Sequence, residues 1–146
     1  MNRAYLIETA AALKQPGFYA REAYTNASEK LASEVSQRML ARPDLEKLIG
    51  GSENLEMMLD NHRNHARFFS SLFDHYFPEV LVDTVIWVFS AYRSHGFNLT
   101  YWPAQLDIWV DALKTNLTQE AFNEIYPFYH WMIVNNPVFA ALSEKT

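Results

Sequence analysis

No cysteine occurs among the 146 residues, which removes disulfides, thiolate metal sites and cysteine nucleophiles together. Glycine and proline are sparse at four and six, too few for a loop-rich all-β chain and well suited to long helices. No apolar run approaches the roughly 18–20 residues that cross a bilayer. The opening Met1-Asn2-Arg3-Ala4-Tyr5 lacks the pattern of a secretory signal. Basic clusters are missing as well: 12 Lys and Arg, scattered singly, stand against 17 Asp and Glu for a net charge of −5. These absences exclude a membrane partner and nucleic acid, whose phosphate backbone calls for a basic patch. A cytoplasmic location is the expectation.

What is present is apolar. Hydrophobic residues make up 49% of the chain and aromatics 15%, with four Trp, eight Tyr and ten Phe. That excludes disorder and is enough for one core at this length. A single domain over 1–146 is expected, with 1–24 as an N-terminal helical extension.

Periodicity predicts helices throughout and no strand. The first runs from Arg3 to Lys14 and stops at Gln15-Pro16-Gly17. Phe18, Tyr19 and Tyr24 then read as an aromatic connection, and Thr25 or Asn26 as the cap of a helix to about Ala41. Pro43 opens a short helix over Asp44–Ile49, closed by Gly50-Gly51. Ser52 reads as the cap of a long helix over Glu53–Tyr76, whose inner seam steps through Leu55, Leu59, His62, Ala66, Phe69 and Phe73. His65 widens that seam, so both histidines face inward. Pro78 starts a helix that is apolar on most sides as far as Tyr92, and Gly96 stops it. Thr100 is expected to cap a helix to Asn116 and Thr118 the last long one, interrupted by Pro127. Val138–Leu142 adds a turn. The reading is all-α, with about six to seven helices.

Three groups of residues carry the chemistry. His62 and His65, at i and i+3, share one helix face and are spaced to share a metal ion, but Asp60 lies on the solvated side. Hydrogen-bonded core histidines account for them better than a metal does, with ligand contact as the other reading. His95, in the last turn before Gly96, suits open helix-end carbonyls or the rim of a pocket. Trp87, Tyr92, Tyr101, Trp102, Tyr126, Tyr129, His130 and Trp131 form an aromatic set on three successive helices, for which core packing is the better reading and the lining of a pocket the other. No nucleophile elbow, phosphate loop, dinucleotide fingerprint or zinc helix appears, so no enzyme reading has named residues and no metal ligand set is assigned.

From residue 25 onward the order of elements resembles a globin-like fold: a long helix, a short one at Pro43, a long helix with interior histidines, a buried helix, and a corner at His95-Gly96-Phe97-Asn98. The corner and the following Trp102-Pro103-Ala104-Gln105-Leu106 resemble the join beyond the haem-bearing helix of globins. Ala91-Tyr92-Arg93-Ser94-His95-Gly96-Phe97 is similar to the Tyr-Arg-x-x-Gly turns of haem-less globin-like sensor domains of bacteria. The proximal ligand position of a haem globin would fall on Ser90 or Ala91, neither of which ligates iron. The resemblance therefore implies a haem-less sensor. A related orthogonal helical bundle is the alternative fold.

The expected function is a non-enzymatic sensory or regulatory domain. It would bind a small apolar or planar ligand, of tetrapyrrole or fatty-acid type, among His62, His65, Phe69, Trp87, Tyr92, His95, Trp102, Tyr126 and Tyr129. No cofactor is certain, and haem or another tetrapyrrole is the one considered. The alternatives are an interaction module with a dry core, such as a homodimer, and a metal or haem protein using the inward histidines.

Overall fold

The computed structural model describes residues 1–144. Among the described residues there are eight α-helices and no strand. The order is α1 (Arg3–Ala11), α2 (Phe18–Leu40), α3 (Leu45–Ile49), a 3-10 turn (Ser52–Asn54), α4 (Leu55–Asp74), α5 (Pro78–Ser94), α6 (Tyr101–Asn116), α7 (Gln119–Val134) and α8 (Asn136–Ser143). The eighth is the turn expected after Asn136-Pro137, grown into a helix that buries Val138 and Phe139.

Asn2 caps α1 by accepting from Tyr5 N, and the helix ends at Ala11 rather than Lys14 because Ala12 and Leu13 tighten onto the carbonyls of Thr9 and Ala10. Leu6 and Ala10 are buried. The helix packs on α5, where Arg3 also pairs with Asp83 at 2.6 Å.

The start of α2 corrects the sequence reading. Phe18, Tyr19 and Tyr24 are not a connection but the first turns of the helix, which begins after Gly17, and neither Thr25 nor Asn26 caps anything. Ala20, Tyr24, Leu31 and Val35 are all fully buried, continuing the helical period back through that stretch. This burial outweighs the cap preference of Thr and Asn, and Ser28 turns its hydroxyl back to the Thr25 carbonyl within the helix.

Two further caps differ from expectation. Ser52 begins the 3-10 turn instead of capping α4, and Thr100 makes no side-chain cap. Asn98 Oδ1 accepts from Thr100 N at 3.0 Å, forming a turn just ahead of the helix. Thr118 does cap α7, accepting from Ala121 N.

Two corners of the chain touch backbone to backbone. Gly50 ends α3 at φ +82°, and a Cβ there would lie 2.2 Å from the Gly96 carbonyl oxygen, so only glycine fits. Asn54 Nδ2 donates to the carbonyls of both Ile49 and His95 at 2.8 Å, and Asn98 N donates to Leu48 O at 2.9 Å. The end of α5 is thereby tied to the end of α3.

The helices form two groups. The α2 helix lies at the centre of one, against α4, α6 and α7, while α5 packs chiefly on α1 and α8. Large rings fill the gap between α4 and the closing helices: Phe73 meets Phe128, Phe69 meets Tyr129, and His65 meets Trp109. Burying each such hydrocarbon ring contributes on the order of 1.5–3 kcal/mol. The space between α4 and α5 is not filled in the same way.

Candidate functional site

A cavity of about 220 Å3 occupies that space. From α4 it is lined by Asn61, Asn64, His65, Phe68 and Phe69; from α5 by Thr84, Val85, Trp87, Val88, Phe89 and Tyr92. Trp102, Gln105 and Leu106 of α6 and Met132 of α7 complete the wall. Trp87 is 67% exposed and stands at the mouth, so it is not a core ring. Phe89 and Trp102 stack at 4.7 Å between centroids, with Tyr92 set edge-on to Trp102. Two broader depressions, between α2 and α4 and among α2, α6 and α7, are more open and more polar.

Of the residues expected to surround a ligand, His65, Phe69, Trp87, Tyr92 and Trp102 meet at this cavity. The other four do not. His95 is exposed at the end of α5, its Nδ1 2.9 Å from the Ala91 carbonyl, as a helix-end histidine behaves. Tyr126 is half-buried on the outer side of α7, stacked on Phe122. Tyr129 lies behind the wall, and His62 is turned to a different set of partners.

His62 is fully buried, its Nδ1 2.8 Å from Ser36 Oγ and its Nε2 3.1 Å from Tyr101 OH. The Tyr101 hydroxyl spends its proton on Asn61 Oδ1 at 2.7 Å. It therefore accepts from His62, which carries its proton on Nε2 and receives the Ser36 hydroxyl at Nδ1. Every polar atom of the ring is satisfied, and its place is structural.

His65 is wired the other way. Its Nε2 lies 2.8 Å from Tyr129 OH, which lies 2.8 Å from Tyr24 OH. Tyr24 is fully buried, and Tyr129 is the one partner its hydroxyl has among the described residues. A buried O–H with no acceptor costs more than an unused lone pair, so Tyr24 donates to Tyr129 and Tyr129 donates to His65 Nε2. The ring proton of His65 then sits on Nδ1, which makes no hydrogen bond among the described residues. Trp109 stacks on the ring at 4.1 Å and holds its plane.

Burial lowers both imidazoles to about 3, with Arg63 adding to the effect at His62 and His62 at His65. Both rings are neutral at physiological pH. Tyr92 is raised by burial, by the Asp60 charge as well, against an opposing contribution from Asn61.

The sequence reading overlooked Gln105, Asn61 and Asn64. Gln105 is 2% exposed, and its Oε1 accepts from Trp109 Nε1 at 3.0 Å. Its Nε2 has no partner among the described residues. A signal was available: Gln105 falls in register with Trp102, Leu106 and Trp109 on an otherwise apolar stripe, and a polar residue there needs a reason.

No family model matches the chain, and neither does any curated protein or solved structure.

Among the described residues no three His, Asp or Glu side chains gather to hold a metal ion. Haem does not fit the residues present. The volume is below the roughly 300 Å3 at which drug-sized pockets begin, the α5 wall offers no histidine, and no Lys or Arg among the described residues lines the cavity to meet propionates.

Proposed function

We propose that this chain is a non-enzymatic sensory or regulatory domain that takes a small apolar ligand into the space between α4 and α5. The observation that carries the reading is the Nδ1–H of His65, a donor without a partner among the described residues on the wall of a mostly apolar cavity. A ligand that supplies the acceptor gains a hydrogen bond in a largely apolar setting. Occupancy displaces α5, because α5 packs chiefly on α1 and α8 and not on α4, and the displacement changes what α5 presents to a partner protein.

Thermal unfolding against a panel of small apolar compounds tests this. A compound that binds the folded state raises Tm as its concentration rises, and the rise vanishes in Val85→Phe, which fills the cavity. If nothing in the panel moves Tm or the tryptophan emission, the ligand reading is wrong.

A second reading has one observation of its own. Phe77, Val80 and Trp87 are exposed along one side of α5, at 59%, 47% and 67%. Such a stripe suits an interface between two copies of the chain. A solution mass that stays monomeric as concentration rises removes it.

A further inference from the structure

Three properties of the cavity narrow the ligand, on the premise that the cavity is a ligand site. The first is size. A cavity of about 150 Å3 lined by hydrocarbon holds a benzene ring, so one of about 220 Å3 holds a single ring with a short substituent.

The second is hydrogen-bonding sense. The wall carries Asn61, Asn64, Thr84 and Tyr92 as well, and two of its groups are donors with no partner among the described residues. His65 offers Nδ1–H because the Tyr24–Tyr129 relay occupies Nε2, and Gln105 offers its Nε2 amide because Oε1 is committed to the Trp109 indole. Trp109 brings the two together, stacking on His65 while bonding Gln105. The complement of each is an acceptor atom. Gln105 is 2% exposed and lines the cavity.

The third is charge. No Lys or Arg among the described residues lines the cavity, and His65 is neutral. A carboxylate would lose its hydration without a counter-ion, at a cost two neutral donors do not offset. A fatty acid or any other anion is disfavoured on that ground. The stacked Phe89–Trp102 pair and Phe69 supply flat faces for an aromatic ring.

We propose that the cavity binds an uncharged aromatic carbonyl compound of one ring, with its oxygen received by the Gln105 amide and the His65 Nδ1–H.

Three compounds of similar size separate the parts of the proposal: acetophenone, ethylbenzene and benzoate, titrated into the intact protein by calorimetry and by tryptophan emission. Acetophenone is expected to bind about five- to tenfold more tightly than ethylbenzene, the gain from completing a neutral hydrogen bond, and benzoate not measurably. In 15N-resolved NMR of the wild-type protein, the Gln105 side-chain amide proton shifts downfield with acetophenone and not with ethylbenzene. Gln105→Met brings acetophenone down to the ethylbenzene level while leaving ethylbenzene unchanged. Equal binding of acetophenone and ethylbenzene overturns the role of the donors. Benzoate binding as tightly as acetophenone overturns the neutral class. Failure of all three overturns this proposal and the ligand reading beneath it, whereas ethylbenzene binding alone leaves that reading standing.

Discussion

His62 and His65 sit three residues apart on α4 and carry their ring protons on opposite nitrogens, Nε2 in His62 and Nδ1 in His65. Opposite tautomers follow from opposite surroundings: Tyr101 has given its proton to Asn61 and must accept, whereas Tyr129 is fed by Tyr24 and must donate. Long-range 15N–1H spectra of the imidazoles read this directly. The expected result is an Nε2–H pattern for His62 and an Nδ1–H pattern for His65. In Tyr129→Phe the His65 ring loses its acceptor bond and its single-tautomer signature, while His62 is unchanged.

Stability should fall as pH drops through the histidine range. In the unfolded chain each ring protonates near 6.5, while in the fold both stay neutral to about 3. The unfolded state therefore binds more protons between those values, and the stability present above pH 6.5 is lost as pH falls toward 3. At pH 5 the loss is about 2 kcal/mol for each ring. Urea unfolding at pH 7.5 and pH 5 measures it. A His62→Gln, His65→Gln double variant has lower stability at neutral pH and a flatter dependence over the same interval.

Gly50→Ala should destabilise by at least about 2 kcal/mol, since the new methyl meets the Gly96 carbonyl and the backbone is left-handed there. Gly17→Ala is the control. Its backbone is extended at φ −68°, and the new atom would meet only the flexible Glu124 carboxylate at 3.3 Å. Denaturant midpoints of the two variants should separate clearly, with similar m-values.

Trp87→Ser should leave the denaturant midpoint within about 0.5 kcal/mol of the parent, because the side chain is mostly in water. It should nevertheless remove any change of emission on ligand binding that arises at the cavity mouth. Emission of the variant, titrated with the same compound as the parent, checks it. A large loss of stability would mean that Trp87 packs more deeply than its exposure indicates.

The all-helical build was readable because α4, α6 and α7 each repeat their apolar residues at three and four, and Pro78 and Gly96 mark the ends of α5. The beginning of α2 was not, since Thr25-Asn26 imitates a cap when the buried Ala20 and Tyr24 cannot be seen. The inward turn of His62 and His65 followed from their spacing. Their different roles did not, because those depend on Ser36, Tyr101, Tyr24 and Tyr129, which arrive from other helices. The cavity itself was invisible for the same reason. Periodicity says which face of a helix is apolar but not how far away its neighbour lies, and here α5 packs chiefly on α1 and α8.

The meeting of Gly50 with Gly96 gives α5 unequal ends. Its far end is tied to α3 by the Asn54 side-chain amide on the His95 carbonyl and by Asn98 N on the Leu48 carbonyl, whereas its start is held by packing on α1, with Leu81 and Val82 fully buried, and by the exposed pairing of Arg3 with Asp83. Directed hydrogen bonds fix a position, whereas apolar packing is non-directional. The glycine corner is therefore the anchored end of α5, and the exposed Phe77 and Val80 lie at the other.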